Sequence, residues 1–268
     1  MNFKSTLTIA VIALSGILFS ACSGKNTKKD SHHDKKMHKK SHHAHWSYKG
    51  KTGPAHWSEL SKDYHACKAG KSQSPIDIRK TGKAKLPALK FNYKATALNV
   101  KNNGHTLQVD YAPGSTLMVG KDKYKLLQLH FHTPSEHKRH GRLRPMEVHF
   151  VHANDKGQLA VVGIFMRLGK KPNALFAKIL KNAPAKTGKN QVKGAMVNAK
   201  GLHASHMGTY YNYSGSLTTP PCSEGVRWFV MKNSVRVTAK QVAAFKKFFN
   251  NTNRPVQALN GRKVSRNK

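Results

Sequence analysis

Acidic residues are scarce in this 268-residue chain: 11 Asp and Glu stand against 48 Lys and Arg, giving a formal charge of +37. That exceeds what solubility requires and sets up a positive field that attracts anions, anionic lipid and acidic polymers, while saying little about fold. Cysteine is nearly absent, with three in the whole chain, which excludes a small disulfide-stapled scaffold. No apolar run is long enough for a good membrane span. The H-E-x-x-H signature is missing, so a helix-borne zinc protease is excluded. No helix-turn-helix, zinc-finger or RNP-like pattern gives the charge a recognition geometry, so no specific nucleic-acid partner is expected. There is no internal repeat.

What is present divides into three parts. Residues 1–22 read as an export signal: Lys4, an apolar run from Leu7 to Phe19, then Ser20-Ala21-Cys22. The ending resembles a bacterial lipoprotein signal, in which Cys22 carries lipid; an ordinary cleaved signal is the alternative. Residues 23–45 hold seven Lys, two Asp and six His without apolar periodicity. They read as a flexible tether whose lysines favour an anionic membrane, with a metal-collecting tail as the sharper alternative. Residues 46–268 form the domain. Removing the tether (+5) and Lys4 from the total leaves +31 on it, so the domain itself is basic. With Cys22 assigned to lipid, Cys67 and Cys222 remain, and in an exported chain they are expected to pair.

From Phe91 onward, short alternating runs dominate: "LNVKNNGHTLQVDY", "KLLQLHFH", "MEVHFVHA", "LAVVGIFMRL" and "VRWFVM". Clusters of Gly, Asn, Pro and Lys separate them, and the pattern is mainly β. Helical signals are few. "NALFAKIL" is one. In "TAKQVAAFKKFFN", Thr238 and Gln241 have capping-box spacing, and Val242, Phe245 and Phe249 line one face.

Residues 127–152 contain six histidines. A strand sends alternate side chains to opposite faces, so Gln128, His130 and His132 share one face, as do Glu147, His149 and Val151 on the next run. If the two strands are neighbours, His149 reaches the pair. Three neutral imidazoles suit one Zn2+ and leave a fourth tetrahedral position for water, which can ionise near pH 7. Gln128 and Glu147 are placed to accept the second N–H of ligating rings. A lone H-x-H is more often ordinary polar chemistry; the pair with its carboxamide, plus E-x-H on the next run, is far more specific.

On these residues the chain resembles the α-class carbonic anhydrases, from about Trp46 to Arg262. The resemblance is carried by "HWSYKGKTGPAHWSEL", "KSQSPIDI", "NNGHTLQV", "QLHFHTPSEH", "MEVHFVH", "LAVVGIFM", "YNYSGSLTTPPCSEGVRWFV" and "NRPVQALNGR", in family order. It is closest in kind to the exported bacterial members, and it implies a large central twisted, mostly antiparallel sheet with a few short peripheral helices. It also implies zinc-dependent, reversible hydration of carbon dioxide to bicarbonate by a zinc-bound hydroxide, with His130, His132 and His149 as ligands. Thr218 would accept from the hydroxide and donate to Glu136. Val151, Val161, Leu217 and Trp228 would form the substrate wall, joined by Val226, and Thr219 would help position bicarbonate. His105 would be the proton shuttle, with Tyr48, Asn103 and Gln108 ordering water. His137 and Tyr213 would be structural, and the family supports the Cys67–Cys222 disulfide. Asn253 departs from the Trp that many members carry. The expected location is periplasmic or cell-surface with a lipid anchor, and a homodimer is left open. The competing readings are a non-catalytic binding protein on the same fold and a metal-buffering lipoprotein acting through its tether.

Overall fold

The computed structural model describes residues 44–204 and 206–267. The signal segment, its Cys22 and the tether through His43 lie outside the described residues. In chain order the regular elements are α1 (Trp57–Leu60), α2 (Ala66–Ala69), β1 (Asp77–Ile78), β2 (Gly82–Lys83), β3 (Leu89–Asn92), β4 (Thr96–Asn102), β5 (Leu107–Asp110), β6 (Thr116–Val119), β7 (Asp122–His132), β8 (Lys138–Arg139), β9 (Met146–Ala153), β10 (Leu159–Leu168), α3 (Ala174–Lys181), β11 (Gly188–Val197), β12 (Tyr210–Ser216), β13 (Glu224–Met231), β14 (Val235–Val237), α4 (Ala239–Lys246) and β15 (Ser265–Arg266).

One large sheet runs in the order β11-β4-β5-β7-β9-β10-β13-β12-β15-β2, with β3, β6 and β14 attached beside it. Most ladders are antiparallel, as expected. The exceptions include β10 with β13 and with β14, and β15 with β2, all parallel. β1 and β8 form a separate parallel pair.

The period of two along each strand sends its apolar side chains into separate cores. On β10, Val162 and Ile164 enter the larger core with Phe131, Val148 and Phe150, while Val161 and Phe165 enter a second one with Tyr213, Trp228 and Ile78. Helices α3 and α4 close the larger core through Phe176, Ile179, Val242 and Phe245. Asn173 caps α3 by accepting from Phe176 N, and the Thr238–Gln241 capping box opens α4 as its spacing implied. The helix ends at Lys246, so Phe249 lies past its last turn, although its ring stays 6.2 Å from that of Phe245.

The run "LNVKNNGHTLQVDY" is two strands rather than one. Gly104 takes a positive φ of 86° between β4 and β5. β11 escaped the sequence pattern: its residues are mostly exposed, and backbone pairing with β4 holds it through an irregular register.

Candidate active site

β7 and β9 are adjacent and antiparallel, and His130 stands directly opposite His149. That register puts the third imidazole against the H-x-H pair. The three rings lie with centroids 4.6–5.3 Å apart, and one nitrogen from each falls within 4.8 Å of the others.

Each ring is oriented by its other nitrogen. His130 Nδ1 donates to Gln128 Oε1 (2.8 Å), His132 Nδ1 to the Thr252 carbonyl (2.6 Å) and His149 Nε2 to Glu147 Oε1 (2.9 Å). The free nitrogens are therefore His130 Nε2, His132 Nε2 and His149 Nδ1, each left with a lone pair. Burial drives all three pKa values down, His132 to about 4, so the rings are neutral at pH 7. His132 Nε2 is buried without a hydrogen-bond partner. An orphaned lone pair among three convergent neutral donors is what a zinc ion fits.

Glu147 is fully buried and uses both oxygens. Oε1 also accepts from His137 Nδ1 (2.8 Å), and Oε2 accepts from the backbone N–H groups of Glu136 (3.0 Å) and His137 (2.9 Å). Burial works to raise its carboxyl, but the contacts with His137 and His149 hold it well below the usual range. His137, Glu147 and His149 also cluster tightly enough to suggest a metal site. Their short distances are already hydrogen bonds, so this is a supporting network. It continues from His137 Nε2 to the Tyr213 hydroxyl (2.7 Å) and on to Ser74 Oγ (2.9 Å).

Glu136 Oε1 accepts from Arg254 N (2.9 Å). Oε2 has no hydrogen-bond partner and sits 3.5 Å from His132 Nε2 and 3.9 Å from His149 Nδ1. Burial raises this carboxyl to about 7, against the lowering influence of His149, the Arg254 N–H and the Thr218 hydroxyl. A dication beside Oε2 would favour its ionised form. Thr218 is buried close by, on the side from which its hydroxyl lowers the Glu136 pKa.

Two small cavities of about 110 and 120 Å³ meet at Gln128, His130 and Thr219. The first is walled by Val151, Val161, Leu217 and Trp228, with His149 and Thr218 at its edge. Val226 belongs to the core that includes Trp228 and does not line it. The second is lined by Tyr48, Asn103, His105 and Gln108, with Trp46 and His132 beside them. His105 is placed by its turn: Asn103 Oδ1 accepts from the N–H groups of His105 (3.0 Å) and Thr106 (2.9 Å). The ring stacks on Trp46 at 3.7 Å and 7°, and burial, then His45, lowers its pKa.

Cys67 and Cys222 form a disulfide. Nearby Arg254, 1 % exposed, donates from Nη2 to the Cys67 carbonyl (2.7 Å) and from Nη1 to Gln73 Oε1 and the Ser74 carbonyl (both 2.8 Å). Sequence reasoning missed Arg254 and the Thr252 carbonyl. A main-chain acceptor leaves no side-chain signal, and the "NRP" motif gave no role to its arginine.

The eukaryotic-type carbonic anhydrase family profile matches residues 52–268. Carbonic anhydrases of Neisseria gonorrhoeae and Pectobacterium carotovorum are 42% and 40% identical to this chain. The matches cover 83% and 81% of it and 88% and 89% of those proteins. The α-carbonic anhydrase of Thermovibrio ammonificans, solved with sulfanilamide, superposes with a TM-score of 0.79 at 44% identity, covering 83% of this chain and 99% of that one. With its sheet, its three-histidine centre and these relatives in agreement, the chain belongs to the eukaryotic-type (α) carbonic anhydrase family.

Proposed function

We propose that this chain interconverts carbon dioxide and water with bicarbonate and a proton, using one zinc ion held by His130, His132 and His149. The observation that carries the reading is the set of three buried, neutral rings, each with one nitrogen tied to an acceptor and the other free in a shared basin. When bound, zinc would supply Lewis acidity that lets water ionise near pH 7.

The remaining work falls to the chain. Gln128, Glu147 and the Thr252 carbonyl fix tautomer and ring angle, so the lone pairs converge without reorganisation. Glu136, once ionised, only accepts. It can therefore accept a hydrogen bond from the Thr218 hydroxyl and leave the threonine oxygen to accept from the attacking water, aiming that water's lone pair at the substrate. Val151, Val161, Leu217 and Trp228 offer an uncharged substrate a place that costs no desolvation of polar groups, and Thr219 holds the anionic product. His105 relays the proton to buffer through water ordered by Tyr48, Asn103 and Gln108. A non-catalytic role would not require three ligands together with Thr218, Glu136 and His105.

We infer that the reaction runs outside the cytoplasm. The leader pattern and a disulfide in the folded domain support export, and Cys22 is the candidate lipid attachment. Labelled palmitate should appear on Cys22 and vanish in Cys22→Ser. The central experiment is stopped-flow hydration by zinc-quantified protein. We expect one zinc per chain and activity that a chelator removes and added zinc restores; full activity without zinc would overturn the reading.

A further inference from the structure

The domain's excess positive charge is not evenly spread. Beyond the far end of β10, a cleft of about 390 Å³ gathers Arg139, Arg144, Arg167, Lys232 and Arg236 over a buried apolar floor of Phe165 and Val235. The Lys and Arg ion pairs among the described residues join Arg79 to Asp77, Lys125 to Asp155 and Arg227 to Asp122. None involves these five cations. The cleft shares no lining residue with the two cavities around the histidines. Val161 and Arg167 share a face of β10 six positions apart, which separates the two places by roughly 20 Å along the strand.

Two of the guanidinium groups are held in place. Arg139 Nη1 donates to the Lys232 carbonyl (3.2 Å) with its plane near the Tyr211 ring, and Arg236 Nη1 donates to the Leu168 carbonyl (3.0 Å). Each keeps most of its N–H donors free. The side chains of Arg144 and Arg167 find no acceptor among the described residues. The repulsion is unrelieved: after burial, the charges of Arg167, Arg139 and Arg142 push the Arg144 pKa down. Four guanidinium forks and an ammonium around one concavity, with no carboxylate to neutralise them, form an uncompensated site that an anion would complete.

We propose that this cleft binds a multivalent phosphate-type oxyanion at a site separate from the histidine centre. A singly charged anion such as bicarbonate would leave most of the cations unmatched. Linked phosphate groups present several oxygens to several forks at once. Both a soluble polyphosphate and the phosphates of an anionic lipid headgroup have this chemistry.

The test titrates full-length, zinc-loaded protein with inorganic triphosphate by calorimetry at 150 mM salt, with hydration assayed in parallel. We expect one saturable site per chain, unaltered turnover, and at least tenfold weaker binding in Arg144→Gln/Arg167→Gln. The control Lys80→Gln/Lys83→Gln removes the same charge from another basic edge and should change affinity less than twofold. Equal losses in the two variants would assign binding to the diffuse field and overturn the proposal. So would the absence of a saturable site, or inhibition of hydration in step with binding. Phosphatidylglycerol vesicles distinguish the source: capture that triphosphate displaces and the arginine variant loses identifies a headgroup, while capture the variant retains identifies a soluble anion as ligand.

Discussion

Gly163→Ala tests how rigidly the chain holds the proposed metal centre without touching His130, His132 or His149. Gly163 pairs with His149 across the β9–β10 ladder, and a Cβ there would lie 2.8 Å from Glu147 Oε1, 3.5 Å from Trp228 Cζ3 and 3.6 Å from His149 Cδ2. Ordinary contact begins near 3.4 Å, so the carboxylate must retreat by about 0.6 Å. It has nowhere to go cheaply, because Oε1 holds His137 and His149 while Oε2 holds two backbone N–H groups. Moving Oε1 that far from His149 Nε2 takes a 2.9 Å bond beyond hydrogen-bond range and frees the third ring to rotate. Loss of such a partner costs roughly 10- to 100-fold in metal affinity, and overpacking costs about 1–3 kcal/mol in stability. Competition with a chromophoric chelator measures the first and urea unfolding of the zinc-free protein the second. Zinc affinity within twofold of the parent, with unchanged stability, would refute the rigidity argued for Glu147.

Other expectations follow from the same geometry. His105→Ala should lower kcat in weak buffer by about 10²- to 10³-fold, because unassisted proton release from a group of pKa ~7 is limited to ~10³ per second. Its kcat/KM should hold and imidazole should restore turnover; undiminished kcat in weak buffer contradicts the shuttle. Cys67→Ser/Cys222→Ser opens a loop of 155 residues and should cost about 5 kcal/mol on the chain-entropy model, roughly 10–20 °C in Tm. A change of under 2 °C would count against that account. His152 is buried between the Tyr93 hydroxyl (2.7 Å) and the Ala160 carbonyl (3.1 Å), and burial drives its pKa to about 4. Its folded value lies below the unfolded ~6.5, so the neutral ring's stability is whole above pH 6.5 and is lost as pH falls from 6.5 towards 4. The loss is on the order of 3 kcal/mol. Denaturant titrations across that range should show a shallower decline for His152→Gln; parallel curves would exclude His152 as the source.

Much of the site was legible in one dimension because the strand period is local. Alternation alone put Gln128 beside His130 and His132 on one face of β7, and Glu147 beside His149 on β9, where the hydrogen bonds now lie. The pairing of Cys67 with Cys222 was readable from so small a cysteine count. Capping chemistry marked the start of α4 for the same local reason, whereas its end was misplaced because Phe249 packs on the core without being helical.

Tertiary structure decided everything that depends on which segments meet. The sequence could not say that His149 stands opposite His130 rather than one residue along, a slip that would turn it to the other face. Nor could it show that the Thr252 carbonyl orients His132, or that Arg254 ties Glu136 to the disulfide segment, since those partners lie more than a hundred residues apart. The basic cleft is the same case. In one dimension its arginines are part of a diffuse charge, and they become a site because the fold brings β8, the approach to β9, the end of β10 and β14 around one hollow with no Asp or Glu in its lining. Periodicity fixes the direction of a side chain, while long-range pairing and packing fix what stands in front of it.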